Sequence, residues 1–206
     1  MATTSTVETL SNADEAAEHI ARQSFADAHV GTVGLELESH TVELTAPHRR
    51  VSWNRLHDIA ETVHDLPGRS AITFEPGGAV ELSGPPHADI WSAISSMRAD
   101  HSILTSTYRG AGIALASLGT DPLRTPERVN PAARYGAMAG HFGAAGFGET
   151  ALQMMTCTAS LQVNLQSGTP RQWRDRFVLA QRMGPTMAAL SASSPMLAGR
   201  RTGRRN

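Results

Sequence analysis

The sequence predicts a mixed α+β fold: an antiparallel sheet with helices covering its apolar face and polar groups on the other. Three observations predict it. "GLELE" (34–38) and "TASLQVNLQ" (158–166) alternate apolar and polar residues with the two-residue period of a strand. "AITFEPGGAVELSG" (71–84) does the same on either side of a Pro76-Gly77-Gly78 turn, so its arms pair as a hairpin with Ile72, Phe74, Val80 and Leu82 on one side and Thr73, Glu75 and Glu81 on the other. The intervening segments repeat apolar residues at helical spacing.

In chain order, Ser11 and Asp14 resemble a capping box that opens a helix through "ADEAAEHIARQSFADA", with Ala16, Ile20 and Phe25 roughly on one side. The strand "TVGLELESHTVEL" follows. Ser52 is placed to cap a helix over "WNRLHDIAETVHDL", which Pro67-Gly68 would end. After the hairpin a long helix is expected from about His87 to Tyr108, with Ile90, Ile94, Met97, His101 and Leu104 at helical spacing and Gly110 and Gly112 at its end. A short strand in "GIALASLG" leads to the loop "TDPLRTPERVNPAA" and a helical turn around "RYGAMAGHF". The glycine-rich "GAAGFGE" reads as a mobile loop, and the chain beyond it as extended, with Cys157 buried at a strand entrance. In the strand that follows, Leu161, Val163 and Leu165 should be half-buried. Thr169-Pro170 opens a last helix with Trp173, Phe177, Ala180 and Met187 on a common face.

A chain of 206 residues is one domain or part of a larger one. Its 18 basic residues, all arginine, balance 19 acidic ones to a formal charge of −1, which removes the electrostatic case for a nucleic-acid partner. The terminal "RRTGRRN" is expected to be a basic disordered tail (200–206). One cysteine, Cys157, excludes an internal disulfide and a cysteine-rich zinc site. No apolar run has the length of a signal peptide core or a membrane span, so the expectation is a cytoplasmic protein without a membrane partner.

The carboxylates carry the chemistry. Glu36 and Glu38 share one face of their strand, and the hairpin adds Glu75 and Glu81, with Gln162 and Asn164 on a further strand. For any one of these glutamates an ordinary solvated sheet face is the better reading, yet such faces usually mix Lys, Thr and Arg with Glu, and the chain contains no lysine. Oxygen ligands grouped in this way suit a hard cation such as Mg²⁺, which commonly bridges carboxylates to nucleotide phosphates. No P-loop or dinucleotide fingerprint is present. The histidine pairs His57/His64 and His87/His101 lack the compact spacing of a helical metal site and read as surface or core positions. Cys157 has no base beside it in sequence to make it a nucleophile.

"GLELE", "FEPGGAVELSGPP", "RYGAMAGHF", "MMTCTASLQVNLQ" and "GPTMAALSASSP" stand in the order found in the glutamate-cysteine ligase family of plant and actinobacterial type. The chain resembles that family from about Val30 to Pro195, most nearly the actinobacterial branch that makes γ-glutamylcysteine for ergothioneine biosynthesis. The resemblance implies a glutamine synthetase-like carboxylate-amine ligase fold, a curved antiparallel sheet whose concave face holds Mg²⁺, ATP and L-glutamate, with L-cysteine as second substrate. It implies metal ligation by Glu36, Glu38, Glu75, Glu81 and Gln162, a glutamate-carboxylate grip by Arg134, and polar contacts from Thr158 and Asn164. The chain departs from the family where Gln166 replaces a common Asp and Ser193 a common Asn. It also stops where the family continues, so residues 1–199 are expected to be the N-terminal portion of one catalytic domain. A fragment without activity, and a related ligase with another amino-acid substrate, fit the same glutamates.

Overall fold

In a computed structural model, residues 9–24 and 30–203 are described. They divide into two compact units, one of Met1–Gly31 with Gln166–Met183 and one of Thr32–Leu165 with Gly184–Asn206.

The first unit holds helix α1 (Ala13–Ser24), none of whose residues is buried. The capping box is real but lies one residue along from the expected Ser11/Asp14 pair. The Asn12 side chain accepts from the Glu15 N–H at 2.9 Å, and the Glu15 carboxylate accepts from the Ser11 N–H at 2.7 Å. Phe25, expected on the inner side of this helix, lies outside the described residues. The unit also contains the start of the last helix, which Pro170 opens and Trp173 secures by donating from its indole to the Gly168 carbonyl at 2.8 Å.

The second unit is built around strand β1 (Val33–Glu43). Strands β2 (Ala71–Phe74) and β3 (Val80–Ser83) form the expected hairpin, and the order runs β2-β3-β1-β4, with β4 being Ile113–Ala116. β5 (Leu161–Leu165) pairs with β1 from Val33 to Leu37, opposite the β3 side, and all pairings are antiparallel. β1 is therefore long enough to serve β3 on one side and β5 and β4 in succession on the other.

Apolar residues of β1, β2 and β3 face helix α2 (Trp53–Glu61) and helix α3 (Ile90–Gly110). Leu35, Leu56, Val80, Leu82, Met97, Leu104, Tyr108 and Ile113 are at most 5% exposed. Full burial of each such side chain is worth about 1.5–3 kcal/mol. Ser52 occupies the N-cap position of α2 without a side-chain hydrogen bond, and α2 ends at Glu61, short of Pro67. The inner face of α3 is Ala93, Met97, Asp100, Leu104 and Tyr108, one residue round from the expected set, which leaves Ile90 exposed and His101 half-buried. Apolar spacing alone could not find that face, because a carboxylate sits in its middle. Asp100 is fully buried and accepts from the N–H groups of Gly68 (2.6 Å) and Ser70 (2.9 Å), ending two backbone donors that burial would otherwise orphan.

Further expectations are corrected. The glycine-rich segment is not an open loop but the joint between helix α4 (Ala133–Ala144) and helix α5 (Gly148–Cys157), with Gly146 at φ +80° making the turn. Cys157 consequently ends a helix instead of entering a strand, and it is buried as expected. β5 has the expected alternation but not the burial, since Leu161, Val163 and Leu165 are 51–61% exposed. Helix α6 (Pro170–Leu190) forms as expected, and none of its residues is buried. At the C-terminus, Arg200–Arg201 (β7) pairs with Met196–Leu197 (β6), and the Ala198 and Gly199 N–H groups donate to Asp121 and Pro122, so this part of the basic tail is ordered.

Candidate active site

Register puts the carboxylates on one face. Glu38 stands directly opposite Glu81, Glu81 opposite Thr73, and Glu36 opposite Gln162. Glu75 is the first residue of the turn, its N–H donating to the Ala79 carbonyl at 2.9 Å. The result is a set of three half-buried carboxylates, Glu38, Glu75 and Glu81, whose ligand oxygens lie within 4.8 Å of one another.

Glu38 and Glu81, and Glu36 beside them, are oriented by neutral donors. Glu38 accepts from the Ser160 N–H (2.9 Å), the Ser160 hydroxyl (3.1 Å) and the Gln162 amide (3.0 Å). A carboxylate has about four acceptor positions, so one is left over. Glu81 accepts from the Thr73 hydroxyl. Glu36 accepts from the Asn164 amide at 2.8 Å. Gln162 and Asn164 thus orient Glu38 and Glu36 from the exposed strand β5.

Like charges facing one another across strands destabilise a sheet. The cost appears as proton affinity. Burial, then the charges of Glu38, Glu81 and Glu36, push the Glu75 carboxyl up to about 7, against a smaller lowering by Arg134. Glu81 is raised too, mainly by burial. Arg134, exposed in the first turn of α4, lies over the Tyr135 ring with its guanidinium carbon 4.4 Å from the centroid, and it donates to the Tyr135 hydroxyl. The buried Tyr135 hydroxyl in turn donates to the Phe74 carbonyl at 3.1 Å. A cleft of about 420 Å³ opens here, lined by Trp53, His57, Phe74, Pro131, Arg134 and Tyr135 among others. Sequence reasoning named Arg134 and missed Tyr135, although both lie in the quoted "RY" pair.

The chain matches the family model described as glutamate-cysteine ligase family 2 over residues 32–205. It belongs to that family. It is 48% identical over 192 residues to the "Glutamate--cysteine ligase EgtA" of Mycolicibacterium smegmatis, covering 93% of this chain and 45% of that protein. The protein of the same name from Mycobacterium tuberculosis H37Rv is 46% identical over 194 residues, 94% of this chain and 45% of that protein. The chloroplastic glutamate–cysteine ligase of Arabidopsis thaliana is 26% identical over 156 residues, 75% of this chain and 30% of that protein. The chain therefore spans less than half the length of these ligases.

Within this member of the ligase family, the expected site residues do not all converge. Glu38, Glu75 and Glu81 do, with Glu36 beside them. Thr158 instead caps the end of α5, its hydroxyl donating to the Met154 carbonyl at 2.6 Å. Bonded to the β2–β3 turn and to Thr41 of β1 is a buried polar cluster that sequence reasoning did not find. Arg124 bridges the Asp121 carboxylate (2.6 Å) and the Thr41 carbonyl (2.5 Å), and Arg50 donates to Gly77 (3.0 Å), Thr125 (2.7 Å) and the Cys157 sulfur (3.4 Å). Burial raises the Asp121 carboxyl, but the Leu123 and Arg124 N–H groups and the Arg124 guanidinium outweigh it, and the net shift is downward. Burial also holds the neighbouring His40 neutral, lowering its pKa to about 4. A second group of possible ligand atoms, His57, Asp58 and Glu61 on α2, is exposed, with His57 Nδ1 3.6 Å from the Glu61 carboxylate. Among the described residues no helix is long and apolar enough to cross a membrane.

Proposed function

We propose that this chain supplies the metal-holding face of an ATP-dependent glutamate–cysteine ligase acting in the cytosol, in the branch that makes γ-glutamylcysteine for ergothioneine biosynthesis. The observation that carries the reading is the convergence of Glu38, Glu75 and Glu81 within 4.8 Å in a member of this family. The antiparallel sheet and its carboxylate face are consistent with a glutamine synthetase-like ligase fold.

The donor set fits Mg²⁺: hard carboxylate oxygens from adjoining strands and a turn, with the Glu75 carboxyl pushed up to about 7 by burial first and then by the neighbouring carboxylates. Glu38, Glu75 and Glu81 would hold the ion directly, with Glu36 as a further ligand. Gln162 keeps Glu38 oriented, as Asn164 does Glu36. When bound, such a cation neutralises charge on the transferring phosphoryl group.

In the proposed reaction the γ-carboxylate of L-glutamate attacks the γ-phosphorus of ATP, and the bond to the β-phosphate oxygen breaks to release ADP. The amine of L-cysteine then attacks the acyl phosphate, an amide bond forms, phosphate leaves with the bonding pair, and the amine gives up a proton. Arg134, held over the Tyr135 ring in the lining of the cleft, presents a planar fork suited to a substrate carboxylate. The remainder of glutamate would then extend toward the carboxylate face, where its γ-carboxylate would meet ATP.

The test is a chimera in which residues 32–205 replace the matching portion of the Mycolicibacterium smegmatis relative. It should form γ-glutamylcysteine only with ATP and a divalent cation, and Glu38→Gln or Glu81→Gln should lower kcat by on the order of 10²-fold or more, as misplacement at a reacting centre does. Chimeras as active with these substitutions as without them would refute the assignment.

A further inference from the structure

The turn that carries Glu75 is buried, whereas connecting turns ordinarily run over the surface. Pro76, Gly77, Gly78 and Ala79 are all inaccessible, so every peptide oxygen there needs a partner from within the protein. Each has one. The Glu75 carbonyl accepts from the Gly78 N–H (2.9 Å), that of Gly77 from Arg50 (3.0 Å), and that of Gly78 from the Thr41 hydroxyl (2.9 Å). The carbonyls on either side of Glu75 both accept from Asn130, each beside a second donor, the Tyr135 hydroxyl on Phe74 (3.1 Å) and the Val129 N–H on Pro76 (2.8 Å). Asn130 donates from its side-chain amide to Phe74 (2.9 Å) and from its backbone N–H to Pro76 (3.0 Å), while its own amide oxygen accepts from the Ala132 N–H (3.0 Å).

Resting on the metal-site reading above, we propose that Asn130 is a positioning residue for the carboxylate cluster: it straddles Glu75 and fixes where that carboxylate meets Glu38 and Glu81. Asn130 is only 5% exposed, and its side chain uses a donor and an acceptor at once, which none of the apolar residues and neither aspartate nor lysine can do. The Phe74 carbonyl it shares with Tyr135 also ties the metal face to the Arg134 cleft. Groups that orient metal ligands without touching the ion typically contribute about 10–100-fold to metal affinity.

The experiment measures Mn²⁺ affinity of the full chain by the electron paramagnetic resonance signal of free Mn²⁺, well below the unfolding temperature. Asn130→Ser keeps an acceptor for the Ala132 N–H but cannot reach Phe74, and Asn130→Ala removes both contacts. Asp100→Ala serves as the matched control, since it deletes two side-chain-to-backbone bonds remote from Glu75 in chain and role. Both Asn130 variants should bind Mn²⁺ about tenfold more weakly than wild type. Asp100→Ala should lower Tm yet keep wild-type affinity. Unchanged affinity in either folded Asn130 variant, with only Tm reduced, overturns the proposal. Equal weakening in Asp100→Ala overturns it as well, because any loss of stability would then suffice. Absence of Mn²⁺ binding in wild type would overturn the metal reading itself.

Discussion

The two flanks of the carboxylate face are held in opposite ways. On one flank the β2–β3 turn is buried, and its carbonyls from Phe74 to Gly78 are each bonded within the protein. On the other, β5 lies wholly exposed, and touches the glutamates through the amides of Gln162 and Asn164. The difference separates two tasks. The turn fixes a backbone, and with it the carboxylate of Glu75, whereas β5 lends adjustable side-chain donors to carboxylates that β1 already places. Substitutions should therefore be costly on the first flank and cheap on the second.

The largest effect is expected at Gly77. A Cβ there would stand 2.1 Å from the Thr156 carbonyl oxygen, a backbone atom that cannot swing aside. Gly77→Ala should destabilise the chain by about 3 kcal/mol, the upper end of usual overpacking costs, read as a fall in the urea midpoint at constant slope. A loss no larger than that of an ordinary surface change would show that the turn is not locked.

The next effect is one of pH. Because the folded-state pKa of Glu75 is raised to about 7 from 4.5, the folded chain binds more protons than the unfolded one between these values. Stability without metal should then be greatest below about pH 4.5 as far as this group is concerned, and be lost as pH rises toward 7. Glu75→Gln should flatten that loss in urea midpoints measured across the window, and saturating Mg²⁺ should reverse it in wild type. A slope unaltered by Glu75→Gln would assign the loss to other groups.

The smallest effect belongs to β5. Val163 is 51% exposed, so Val163→Thr should change stability by no more than about 0.5 kcal/mol. A larger cost in the same urea titration would mean that this flank is packed as tightly as the turn.

Sequence alone made much of this legible, and the exceptions have physical causes. β1 and the hairpin were readable because alternation with period two fixes both the strand and its faces, so Glu36, Glu38 and Glu81 fell on one side by register alone. α5 was not, since "ALQMMTC" is a short apolar run in which helix and strand look alike. The burial of β5 could not be read from its alternation, which reports faces and not what covers them. Asp100 was hidden because a search for apolar residues at helical spacing passes over a buried acid. Asn130, Arg50 and Asp121 sit in irregular segments with no period to betray them, and only the fold brings them to the Glu75 turn and its surroundings.

The most direct measurement is calorimetric titration of the full chain with Mg²⁺ at pH 8, comparing wild type with Glu38→Gln, Glu75→Gln, Glu81→Gln and, as an exposed acidic control on α2, Glu61→Gln. Wild type and Glu61→Gln should bind with the same affinity, and each of the three cluster variants at least tenfold more weakly, a loss of about 1.4 kcal/mol. Equal affinity in all five proteins, or weakening in Glu61→Gln alone, would contradict the assignment of the metal to Glu38, Glu75 and Glu81.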